Sequence, residues 1–82
     1  MNINLDDKDY LHAMEHYLSG MWKDAEEDFA RLLTRFPDDT FILLLLGNTY
    51  YSLGELARAS EVYEKALQVK PDFGIASYKL GV

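Results

Sequence analysis

Self-similarity at one spacing constrains this chain more than any other feature. Pro37 and Pro71 lie 34 residues apart, and so do Gly20 and Gly54, Ala25 and Ala59, Leu33 and Leu67, and Tyr17 and Tyr51. Leu11, Glu27 and Asp38 also meet identical residues, which makes eight identities between residues 6–39 and 40–73. Phe29 meets Tyr63, and Arg31 meets Lys65. The matches fall at chain breakers and apolar positions. A supersecondary unit that stacks on a copy of itself must keep those positions.

Helical periodicity fills the space between the breakers. A first helix is expected over about Asp7 to Ser19, with Asp6 or Asp7 as N-cap and Gly20 as the stop. A second is expected over about Trp22 to Phe36, acidic early, basic late and ended by Pro37. A third is expected over about Thr40 to Leu53, capped by Asp39 or Thr40 and closed by Gly54. A fourth runs from about Glu55 to Val69, and a short fifth from about Phe73 to Val82. The apolar run from Phe41 to Leu46 fits a buried strand as well as a helix by length alone. Helix is favoured, because the run continues into Gly47-Asn48-Thr49-Tyr50 without a turn signal and no other segment offers a strand to pair with.

The period and its residues together resemble the tetratricopeptide repeat, a 34-residue helix–turn–helix unit. Thr40 to Phe73 carries the likeness best: Leu46-Gly47 in the Leu-Gly slot, then Tyr50, Gly54, Ala59, Tyr63, Ala66 and Pro71. Asp6 to Asp39 keeps Gly20, Trp22, Ala25, Phe29 and Pro37. It has His12-Ala13 for Leu-Gly, His16 for the tyrosine and Leu32 at a usually small position. A third unit starts with Leu80-Gly81. The resemblance implies an all-α chain of antiparallel helix hairpins stacked as a short right-handed superhelix. Its parts would be an N-terminal segment (1–5), repeat 1 (6–39), repeat 2 (40–73) and a partial third repeat or capping helix (74–82). In the second hairpin, Gly47 and Ala59 would let the helices approach, with Leu46, Tyr50 and Tyr63 filling the space between.

Composition narrows the function. The chain has 14 acidic and 8 basic residues, a formal net charge of −6, and no cysteine. Nucleic-acid and anionic-membrane binders carry basic faces, so both partner classes are disfavoured. Six apolar residues in a row cannot span a bilayer, which needs about 20. The N-terminal residues lack the basic and apolar regions of a signal peptide. The expectation is a soluble protein, or piece of one, of the cytoplasm.

Three candidate sites stand out. The resemblance implies that the first helix of each repeat lines a concave groove. It would use Asp7, Tyr10, Leu11, Met14, Tyr17 and Leu18, then Phe41, Leu44, Leu45, Asn48, Tyr51 and Ser52, then Ile75, Tyr78, Lys79 and Val82. Tyr10, Met14, Tyr17, Leu44, Asn48, Tyr51 and Tyr78 are the expected partner-binding residues. About half of the lining is expected to pack against the neighbouring repeat, Leu11 and Leu45 foremost. The carboxylate clamp of chaperone-binding relatives is missing: Tyr10, Met14, Leu45, Ile75 and Lys79 stand in its places, and only Lys79 fits. An apolar or amphipathic protein segment is the expected guest. The alternative is homo-oligomerisation through the edge Ile75, Leu80 and Val82.

The second candidate is His12-Ala13-Met14-Glu15-His16, which fits an H-x-x-E-H metal pattern. By repeat register these histidines face their hairpin partner and lack a third ligand. They are read as packing or surface residues, with metal binding the lesser alternative. The third is the acidic group Asp24, Glu26, Glu27, Asp28, Asp38 and Asp39, read as a solvated convex face. No catalytic constellation and no cofactor are expected.

Overall fold

The computed structural model describes residues 7–70. Four helices follow one another: α1 (Lys8–Leu18), α2 (Trp22–Arg35), α3 (Thr40–Ser52) and α4 (Leu56–Val69). Helix α1 packs on α2, α2 on α3 and α3 on α4. Two helical hairpins are thereby stacked side by side. The expected N-terminal segment, fifth helix and partial third repeat lie outside the described residues.

The turns repeat with the sequence. At the end of α1 the Gly20 N–H donates to the Tyr17 carbonyl (3.2 Å) and the Met21 N–H to the His16 carbonyl (2.9 Å). At the end of α3 the Gly54 N–H donates to Tyr51 (3.1 Å) and the Glu55 N–H to Tyr50 (2.9 Å). Both are Schellman closures, and they require a residue in the left-handed region. Gly20 (φ 76°) and Gly54 (φ 81°) supply it. Helices α2 and α4 end at Phe36 and Lys70, residues outside the helical region (ψ 66° and 88°) that each precede a proline in the sequence. Asp7 caps α1 by accepting from the Asp9 N–H, and Asp39 caps α3 by accepting from the Phe41 and Ile42 N–H groups.

Helix α3 carries the core. It is apolar nearly all round, and a helix of that kind must be buried on more than one side. Ile42, Leu45 and Leu46 join Tyr10, Ala13, Ala25, Phe29 and Leu32 of the first hairpin. Leu43 and Leu44 join Ala59, Tyr63 and Ala66 of α4. Phe41–Leu46 is therefore helical, and its unbroken hydrophobicity records two interfaces. Leu46 corrects the expected packing: it clusters with the first hairpin rather than filling the second. Each large apolar side chain fully buried here contributes roughly 1.5–3 kcal/mol.

Gly47 serves the second hairpin in a specific way. A Cβ at this position would meet the Tyr63 ring, with Cδ1 at 2.7 Å and Cζ at 2.9 Å. The absent side chain makes room for an aromatic ring from α4 rather than for a close helix contact at Ala59. Ion pairs tie the elements at their margins. Arg35 at the end of α2 reaches Asp7 (2.8 Å) and Asp9 (3.1 Å) at the start of α1. Arg58 of α4 lies 3.7 Å from Glu26 of α2.

Two glycines separate two mechanisms. Gly47→Ala is expected to cost about 1–3 kcal/mol in urea unfolding, because its methyl collides with Tyr63. Adding Tyr63→Ala should make the pair non-additive, since it removes the obstructing ring. Gly54→Ala meets nothing within 4 Å and should cost about 1 kcal/mol from the left-handed backbone alone.

Candidate functional site

The first helices of the two hairpins present matching faces, since Asp7, Tyr10, Leu11, Met14, Tyr17 and Leu18 correspond at the 34-residue offset to Phe41, Leu44, Leu45, Asn48, Tyr51 and Ser52. The corresponding positions are not equally open. Tyr10 and Leu44 are both buried, whereas Met14 and Asn48 are both half-buried. Tyr17 is half-buried, its ring edge-on to Trp22 (5.4 Å between centroids) and Phe29 (5.9 Å). Its counterpart Tyr51 is exposed. Leu11, expected to pack, is 52% exposed, while Leu45 is 6% exposed. The reason is position in the stack. Leu45 meets the first hairpin, and among the described residues no hairpin precedes α1. Leu18 and Phe41 are also exposed, and the Tyr10 and Phe41 rings (6.2 Å between centroids) link α1 to α3. Tyr78, Lys79 and the edge residues Ile75, Leu80 and Val82 lie outside the described residues.

One polar contact joins this face to the far side of the second hairpin. The Tyr63 ring crosses above Gly47, and its hydroxyl donates to Asn48 Oδ1. Burial first, then the neighbouring Tyr17 and Tyr51, pushes the Tyr63 hydroxyl up to about 12. It is a neutral donor at any physiological pH. Asn48 spends its carbonyl on Tyr63, which leaves its two N–H donors on the α3 face among the described residues. Sequence reasoning placed Tyr63 only as filler. The available signal was a large aromatic paired with a glycine, beside an asparagine.

On α1 the two histidines lie differently. His12 is exposed rather than turned to its partner helix. His16 is partly exposed, and its Nδ1 lies 2.6 Å from Asp28 Oδ2 on α2. Asp28 is buried at 7% exposure, and its other oxygen lies 3.4 Å from Arg31 Nη1. The His12 and His16 rings stand edge-on, 6.0 Å apart. Among the described residues no group of three or more metal-ligating side chains occurs. The acidic group is not uniformly solvated. Asp28 and Asp39 are buried, one held by His16 and the other capping α3, and Glu26 is partly buried beside Arg58.

The Asp28 hydrogen bond raises His16 above its ordinary value of 6.5, with the charges of Asp28, Asp24 and Glu15 adding. A histidine raised in the folded state stabilises fully below the unfolded value, and that contribution is lost as pH rises through the folded one. The urea midpoint should therefore fall as pH rises from 6.5 through the raised value. Asp28→Asn should flatten that dependence, and an unchanged slope would remove the pair from the hairpin's stability.

No helix among the described residues is long and apolar enough to cross a membrane. No curated protein matches the chain. A family model described as TPR repeat matches residues 47–82, beginning at the glycine under Tyr63. Repeats of this family are protein-interaction modules. With that match over residues 47–82, this part of the chain is similar to a TPR repeat, and four helices paired and turned alike at an offset of 34 residues fit a stack of such hairpins.

Proposed function

We propose that the chain captures an apolar or amphipathic segment of a protein partner along the matching faces of α1 and α3. Met14, Tyr17, Asn48 and Tyr51 make the contacts, Tyr10 and Leu44 form the packed floor beneath them, and Tyr78 extends the row. The observation that carries this reading is the exposure of Leu11, Leu18, Phe41 and Tyr51, at 42–77%, on those faces. Clustered apolar side chains open to water favour a partner. Tyrosine adds contact area and a hydrogen-bonding tip at low entropic cost. The Asn48 N–H donors suit a carbonyl of the guest's backbone. The role is binding rather than catalysis.

A second reading is self-assembly through the expected edge Ile75, Leu80 and Val82. The exposure of Leu56 and Val69 on α4, at 57% and 42%, favours it. Light scattering over a dilution from about 100 to 1 μM, around ordinary micromolar affinities, separates the two readings. A persistent dimer supports self-assembly, and a monomer supports capture. For the monomer, peptides selected from a displayed random library should be rich in apolar residues. Tyr51→Ala should weaken their binding by about 1–2 kcal/mol with the helical spectrum unchanged. Equal affinity for the variant would remove Tyr51 from the site.

A further inference from the structure

The most concentrated unused chemistry lies on the other flank of α1. Positions 12 and 16 sit one turn apart, opposite Met14 on the helix circumference. From this arrangement we propose that His12 and His16 form a two-histidine chelate for a late first-row divalent metal ion, with Asp28 as the positioning residue behind His16.

The geometry is close to what such a chelate needs. With metal–nitrogen bonds of about 2.1 Å and a near-tetrahedral angle, two imidazoles bound through Nε2 have ring centroids about 5 Å apart. The rings already stand 6.0 Å apart. His12 is exposed, so rotation of its side chain can close the remaining distance. Asp28 prepares the second ligand. It takes the Nδ1–H of His16 at 2.6 Å, which leaves the lone pair of the neutral ring on Nε2. A carboxylate in this place fixes the tautomer, orients the ring and raises its basicity as a ligand. Asp28 is itself buried, with Arg31 on its other oxygen, and it has little freedom to swing away.

The surrounding charge also suits a cation. Asp28 and Asp24 on α2 and Glu15 on α1 all favour positive charge on His16. Arg31 on α2 and exposed Lys8, one turn before His12, oppose it in part. Two protein ligands leave the remaining positions to water. Affinity should follow the order copper above nickel above zinc. Protons compete for the same lone pairs, so binding should strengthen as pH rises and the imidazoles lose their protons.

The test is titration of the full chain with Ni2+ and with Zn2+ at pH 7.5 and 6.0, followed by calorimetry and by nitrogen NMR of the histidine rings. The expected result is one saturable site per chain, weaker at pH 6.0, with the His16 Nε2 signal moving and Nδ1 still protonated. His12→Ala, at an exposed position, should keep the helical spectrum and lose at least tenfold in affinity. Asp28→Asn should lose on the order of tenfold while both histidines remain. Equal affinity in the His12→Ala variant overturns the proposal, as does binding without saturation at one ion per chain. Metal binding that leaves His16 Nε2 unmoved overturns it as well. Should Asp28→Asn fail to fold, the His12→Ala titration and the ring signals of the unaltered chain still decide the matter.

Discussion

Everything in this fold depends on α3 being buried from two sides. A surface helix can hold one apolar stripe and leave the rest to water. Helix α3 holds two: Ile42, Leu45 and Leu46 close the first hairpin's core, and Leu43, Leu44 and Gly47 receive α4. The first hairpin thus borrows part of its interior from the second repeat. Its polar demands are met locally. Asp39 caps the helix start, and the Thr49 hydroxyl donates to the Leu45 carbonyl at 2.8 Å, so burial leaves no side-chain polar group of the described residues unpaired.

The same arrangement sets what α3 leaves open to solvent. Because Leu44 and Leu45 are consumed by packing, the helix's remaining open face is narrow: exposed Phe41, Tyr51 and Ser52 with half-buried Asn48. Tyr63 reaches that face from behind through the space over Gly47 and fixes the Asn48 carbonyl. A residue of α4 therefore sets the polar character of the α3 face. Any change at Gly47 is felt both in stability and in the orientation of that amide.

Much of this was legible in the chain because repeats write themselves twice. The four helices, both positive-φ glycines and both pre-proline endings follow from positions that recur at 34 residues. What the repeat could not convey is where one unit departs from the other. Leu11 and Leu45 are the same residue in the same slot, yet one is open and the other covered, because only one has a hairpin on that side among the described residues. His16 and Asp28 occupy the slots of Tyr50 and Val62. An apolar neighbourhood in the second hairpin is replaced by an ion pair in the first. Each substitution alone reads as a surface variation. Their joint occurrence was the signal, and it is visible only when the two slots are known to face each other. Asp28 and Asp39 were hidden for a related reason: charge counts show sign but not burial.

The shared interior has a consequence for how the chain is made. Synthesis delivers α1 and α2 first, but Phe29 and Leu32 find their covering residues only when Ile42, Leu45 and Leu46 have left the ribosome. At ordinary elongation rates the stretch from Arg35 to Leu46 takes about one second to emerge. For that interval the nascent first hairpin carries an uncovered apolar flank. The sequence repeat ends at Asp39, but the smallest piece that can close its own core reaches into α3. A ribosome stalled at the boundary would hold a hairpin with the surface properties of a chaperone client.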